Sequence, residues 1–196
     1  MLKDRFRKFL PVVVDLETGG FDAVKNPILE IAIQLIDYQD DQLVLGQLHR
    51  HHIEPFEGLE INQDSIDFLN LDLNHPLRVA VDEKEALLDL FKIINKHKSL
   101  YECSRAILVG HNAFFDHSFL LAACERHGIK KSPFHPFSLI DTVSLGVLAT
   151  KQTVLARICK ELEIDYDNEQ AHSAAYDAKV TAQAFCHIIN EFDKKA

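Results

Sequence analysis

Leu10-Pro11-Val12-Val13-Val14-Asp15-Leu16-Glu17-Thr18-Gly19-Gly20-Phe21 is the stretch on which the fold turns. It begins as a short β-branched run, ends in acids, and passes directly into Thr-Gly-Gly. That pattern reads as a buried strand over 10–15 running into a turn. On a strand, residues i and i+2 share a face. Asp15 and Glu17 therefore converge at the strand's end, while Leu16 points the other way, into the core. Carboxylate oxygens are the ligands that hard cations such as Mg²⁺ prefer. Asp-x-Glu occurs often by chance. Its weight here comes from position, at the end of an apolar strand and just before glycines.

Working outward, Ile28 to Tyr38 alternates apolar and polar residues and reads as a second strand. Leu43 to Ile53 reads as a third, with Gln39-Asp40-Asp41 as the hairpin turn between them. Helical spacing then takes over. Ser65 to Leu71 is a short helix, and Glu83 to Lys96 carries Ala86, Leu87, Leu90, Phe91 and Ile94 on one stripe. Ala106 to Val109 is a strand, Phe114 to His127 a helix, and Leu139-Ile140 a short strand. Asp141 caps the next helix, and Thr153 to Leu162 and Ala174 to Phe192 are helices. A strand meander followed by βαβ-like units predicts an α/β layer fold with a mixed sheet.

The 196 residues fit one domain, 1–196, and 47% hydrophobic content supplies one core. Cys103, Cys124, Cys159 and Cys186 are far apart and lack CxxC spacing, so buried reduced thiols are expected and a zinc site or disulfide framework is not. No secretory signal and no membrane span is visible, which leaves the cytoplasm by elimination. The net charge of −9 weighs mildly against a nucleic-acid partner, because duplex binders are usually basic. Clustered carboxylates would themselves make a metal-dependent enzyme acidic, and basic residues gather locally around Lys3, Arg5, Arg7 and Lys8 and at Lys130-Lys131.

Two further motifs follow. His111-Asn112-Ala113-Phe114-Phe115-Asp116 leaves the fourth strand and opens a helix, which places Asp116 where ligand clefts form in α/β sheets. Alone, Asp116 is more simply a residue that complements the helix dipole. His172-Ser173-Ala174-Ala175-Tyr176-Asp177 puts Asp177 in the first turn of the last helix. His172 is too far along to share its face and belongs on the preceding loop. Alone, it is one of eleven histidines and an ordinary surface residue. The combination changes the weighting, because each of the three motifs stands beside a predicted strand or helix end.

Asp-x-Glu, then His-Asn-x-x-Phe-Asp, then His-x-Ala-x-x-Asp, in this order, resembles the three motifs of the DEDDh exonucleases across residues 15–177. The resemblance implies an RNase H-like mixed sheet flanked by helices and a metal-dependent 3′–5′ exonuclease that releases nucleoside 5′-monophosphates. It implies two Mg²⁺ ions held by Asp15, Glu17, Asp116 and Asp177, with replacement by Mn²⁺ left open. Asp15 would bridge the ions, Glu17 and Asp177 complete the side that activates water, and Asp116 supports the other. His172 would be the general base, since imidazole titrates near neutral pH.

Within that family the chain is most similar to the ribonuclease T branch, through Asp4-Arg5-Phe6-Arg7, Asp15 to Phe21, Ser132 to Phe137 and Gln170 to Asp177. This implies trimming of 3′ ends of tRNA and other stable RNA precursors, activity on single-stranded DNA, and a homodimer with no membrane association. Phe21 and Phe137 lie in loops, where core packing explains an aromatic ring poorly. With Phe68 and Phe115 they would stack on the last bases, an interaction worth roughly 1–3 kcal/mol per base. Phe68 also fits a core position, at helical spacing from Ile61, Ser65 and Leu71. The pattern has an acid near Phe68 that contacts a terminal base. The match is Asp64, where the family has the longer Glu, and Asp67 competes. Arg5, Arg7, Arg105, Lys130 and Lys131 are the implied basic patch, through which one subunit guides RNA into the other's site. Two other readings stay open: another DEDDh branch such as a DNA proofreading exonuclease, and an inactive nuclease fold serving as a nucleic-acid-binding scaffold.

Overall fold

A computed structural model of the chain describes residues 1–55, 58–69 and 71–194. Its strands are β1 (Phe9–Thr18), β2 (Ile28–Gln39), β3 (Gln42–His52), β4 (Arg105–Gly110) and β5 (Phe134–Asp141). They form a five-stranded sheet in the order β3-β2-β1-β4-β5. β1 is central because it is apolar on both faces, with Leu10, Val12, Val13 and Val14 almost fully buried. It pairs antiparallel with β2 and parallel with β4. The sheet is therefore mixed, with an antiparallel meander β1-β2-β3 and a parallel half β1-β4-β5. The β2–β3 hairpin turns on Asp40 and Asp41 at φ of 50° and 60°. Two left-handed residues match the twist of the flanking strands, and Asp tolerates that conformation.

The helices are α1 (Leu2–Arg5), α2 (Gln63–Leu69), α3 (Glu83–Leu100), α4 (Phe114–Arg126), α5 (Thr142–Thr150), α6 (Leu155–Glu161) and α7 (Ala174–Asp193). α7 lies across β1, β2 and β3, and α3 and α4 pack on the sheet and on each other. The α3–α4 contact is ionic at one end. Glu83, buried in the first turn of α3, accepts two bonds of 3.0 Å from Arg126 and one of 2.7 Å from His127. All four cysteines are buried and free. Among the described residues no helix is long and apolar enough to cross a membrane.

Three elements differ from the sequence reading. β5 starts at Phe134, before the expected Leu139, because Pro133 and Pro136 disguise it. A bulge accommodates Pro136, so that Ala106 pairs with Phe134 and Leu108 with Leu139. α1 was not anticipated; a lone buried Leu2 among charged residues carries no periodic signal. The short helix expected over 65–71 runs instead from Gln63 to Leu69, and position 70 lies outside the described residues.

Candidate active site

The geometry follows from β1. Asp15 and Glu17 project from the same face of its C-terminal end, and Asp177 arrives from the first turn of α7. One carboxylate oxygen from each lies within 4.8 Å of the others. Asp177 Oδ2 accepts the His172 backbone N–H at 3.0 Å, while its Oδ1 is buried with no partner. Three converging acids and an orphaned oxygen are what a hard divalent cation satisfies, so the residues fit a metal ion.

Asp116 comes from the first turn of α4 and is buried, with the backbone N–H groups of Leu16 in β1 and of Asp116 itself favouring its charged form. It neighbours Asp15 electrostatically but stands outside the three-acid group. Its position is set by the turn before α4. Asn112 sits there at φ 62°, a left-handed conformation that Asn tolerates. Asp141 Oδ2 then holds the Ala113 N–H at 2.9 Å, while its Oδ1 caps α5 through the Val143 N–H at 2.8 Å. The sequence pointed to the cap but not to the bond to Ala113. His111 is not in the acid cluster; its ring bonds Thr142 and the Thr153 carbonyl.

Burial, then mutual repulsion, disfavours charge on these acids when no metal is present. Asp15 is raised well above the carboxylate range, and Glu17 is raised to about 8, by burial first and then by its acidic neighbours. Asp116 is also raised to about 8, chiefly by burial, with Asp141 adding to it. Asp177 is raised by burial, against the pull of the His172 N–H and imidazole. A bound cation reverses this balance.

His172 lies on the exposed loop before α7, as expected, at φ 68°. Its ring rests against Phe68, with centroids 4.4 Å apart. Phe68 is 67% exposed and α2 buries none of its residues, so Phe68 is not a core residue. α2 is brought to the site by the turn after β1. Asn26 accepts the Asp22 N–H and donates to the Glu60 carbonyl, and the Asn62 N–H bonds the Gly19 carbonyl. Gly20 is required there, because a Cβ would come within 2.4 Å of the Asn26 side chain.

This arrangement encloses a cavity of about 410 Å³ lined by Glu17, Phe21, Asp64, Phe68 and Phe115, among others. Phe21 is 85% exposed, and its ring is 6.3 Å from that of Phe115. Asp64 is on the cavity wall, whereas Asp67 accepts a bond from Gln63 Nε2. Phe137 is elsewhere. It packs on His135, which packs on Phe9 at the opposite end of β1. From Phe9 to Asp15 a strand rises about 20 Å. Arg5, Arg7, Arg105, Lys130 and Lys131 are all exposed, and Arg105 pairs with Phe9 at that far end. Arg5 is bonded to Asp193 at 2.8 Å.

A family model described as Exonuclease matches residues 12–185. Curated relatives named Ribonuclease T cover the chain nearly end to end. That of Shewanella denitrificans is 48% identical over 97% of this chain and 85% of its own length. That of Marinobacter nauticus is 48% identical over 97% and 87%, and that of Haemophilus influenzae 45% over 96% and 83%. The chain belongs to the ribonuclease T family of exonucleases. As a member it is a 3′–5′ exoribonuclease and depends on divalent metal, for which the acid cluster is the matching feature. The fold agrees. The nuclease domain of 3′hExo, a DEDDh member solved with rAMP, superposes with a TM-score of 0.69 at 17% identity, covering 92% of each chain. Exonuclease I of E. coli, solved with a dT13 oligonucleotide, gives 0.70 at 15%, covering 95% of this chain and 43% of that one. The RNase H-like mixed sheet flanked by helices is thus borne out. In this ribonuclease T relative, sequence reasoning missed Glu30, a buried carboxylate of β2 directly across from Glu17.

Proposed function

We propose that residues 1–196 form one cytoplasmic exonuclease domain that removes 3′-terminal nucleotides from tRNA and other stable RNA precursors by a two-metal mechanism, and that also accepts single-stranded DNA. The observation that carries the catalytic reading is the convergence of Asp15, Glu17 and Asp177, with one buried Asp177 oxygen unpartnered. Mg²⁺ is the proposed ion, with Mn²⁺ as its substitute. Two such cations supply an activated water and a stabilised leaving oxygen. Asp15 would lie between them, Glu17 and Asp177 on the water side, and Asp116 on the other. His172 takes the proton from the attacking water. Its ring, on an exposed loop and resting against Phe68, would have to turn toward the scissile phosphate to do so.

Phe21, Phe68 and Phe115 line the cavity beside Glu17 and would clamp the terminal bases there. Asp64, on the same wall, is favoured over Asp67 for contact with a terminal base. Phe137 and the basic residues Arg5, Arg7, Arg105, Lys130 and Lys131 are not among the residues named on that cavity, and Arg105 pairs with Phe9 at the far end of β1. They would serve RNA entering a second copy, which is the reason to propose a homodimer. A monomeric mass in solution would remove that part. The activity test is digestion of a tRNA-like RNA bearing a single-stranded 3′ tail, with and without Mg²⁺. The expected result is metal-dependent shortening from the 3′ end with release of nucleoside 5′-monophosphates. An intact 3′ end in the presence of metal would refute the reading.

A further inference from the structure

Glu17, Glu30 and His52 form one row across β1, β2 and β3, each directly opposite the next. Glu30 is only 4% exposed, and α7 covers it. Sitting beside Glu17, it adds negative charge where the acids already repel one another. It is nonetheless outside the three-acid metal group. A buried charge in so unfavourable a place needs a compensating contact.

Two contacts supply it. Arg50, from the edge strand β3, lies 3.8 Å from Glu30 Oε1. The second contact is with α7. The Ser173 side chain makes no cap bond, so the first-turn N–H groups of this helix lack their usual local acceptor. The Ala175 N–H of that first turn acts on the buried Glu30 carboxylate instead and favours its charged form against burial. A carboxylate at a helix N-terminus also meets the positive end of the helix dipole. Ala32, next on the same face of β2, packs on Ala174 and Ala178 and lets the helix approach closely.

We infer that Glu30 is a positioning residue: from β2 it caps α7 and fixes the first turn that carries Asp177 and follows His172. Asp177 is two residues beyond Ala175, so holding the first turn at Ala175 would set how near the Asp177 carboxylate comes to Asp15 and Glu17. This inference rests on Asp177 being a metal ligand. Groups that hold a metal ligand in place typically change metal affinity or activity by 10–100-fold when removed.

The test uses the full chain with Glu30→Ala, Glu30→Gln and, as reference, Asp177→Asn. Glu30→Gln keeps an acceptor oxygen for Ala175 and removes the charge. Three readouts are needed: Mn²⁺ binding by calorimetry, hydrogen exchange of the Ala175 amide in metal-free protein, and the split between kcat and KM on a short RNA. Glu30→Ala is expected to accelerate Ala175 exchange, weaken Mn²⁺ binding about tenfold or more and lower kcat with little change in KM. Glu30→Gln is expected to restore all three to within about threefold. Wild-type Ala175 exchange and Mn²⁺ binding in Glu30→Ala would overturn the proposal, as would a glutamine variant no better than alanine. If Glu30→Ala fails to fold, the glutamine variant alone decides: slow Ala175 exchange and near-normal Mn²⁺ binding support the cap, and their loss overturns it. Normal Mn²⁺ binding in Asp177→Asn would instead remove the metal-ligand reading itself.

Discussion

His172 and the acids it faces behave differently from one another, and the difference is testable one side chain at a time. His172→Ala removes an exposed ring whose backbone N–H, not its imidazole, bonds Asp177. Metal binding should therefore persist while kcat falls by about 10²–10⁴-fold, the usual contribution of a general base. Turnover near wild type would remove that role. The acids are legible through pH. Glu17 and Asp116 are raised to about 8, so the folded metal-free protein binds protons more tightly than the unfolded chain. Their contribution to stability is full below the ordinary carboxylate range and is lost as pH rises through about 8. The melting temperature of metal-free protein should thus fall between pH 5 and 9, and Glu17→Gln should flatten the fall. Each kcal/mol of relieved repulsion should raise Tm by about 2–4 °C. A metal-free melting profile that is flat with pH would contradict this. Asp15 and Glu17 were readable because strand periodicity puts them on one face, whereas Asp116, His172 and Asp177 gained weight only from the order of the three motifs and their place beside strand and helix ends. Glu30 was not readable. In Ile28-Leu29-Glu30-Ile31 it occupies what looks like the polar side of an alternating strand, and only α7 makes that side an interior.

At the scale of elements, most strands and helices could be read from local pattern, and the misses share a cause. β5 contains Pro136 and a bulge, so its strand period is broken. α2 buries no residue, so its apolar spacing falsely suggested a core position for Phe68. The α3–α4 joint is a long-range ionic contact that no local pattern announces. Glu83 is 2% exposed and faces Arg126 and His127. Removing one partner of a buried ion pair leaves the other charge uncompensated. Glu83→Ala should destabilise the protein by about 3–5 kcal/mol, measured by urea unfolding, with metal affinity retained by the folded fraction. A loss below about 1 kcal/mol would place the pair among weak surface bridges.

For the whole molecule, a mixed sheet puts the ends of β1 and β4 and the starts of α4 and α7 at one corner, and the acids meet there. The opposite end of β1 carries Phe9, His135, Phe137 and Arg105. Sequence order could not separate those two ends, which is why Phe137 was grouped with Phe21, Phe68 and Phe115. The separation also eases the tension between a net charge of −9 and an RNA substrate, since a local field, not net charge, draws RNA to a surface. What remains central is that these carboxylates hold the catalytic ions. Crystals grown with Mn²⁺ and a nucleoside 5′-monophosphate, measured for anomalous scattering at the manganese edge, address this most directly. Two peaks about 3.5–4 Å apart, both touching Asp15 and one shared with Glu17 and Asp177, are predicted. Peaks remote from Asp15, or none in a crystal that holds the nucleotide, would contradict it.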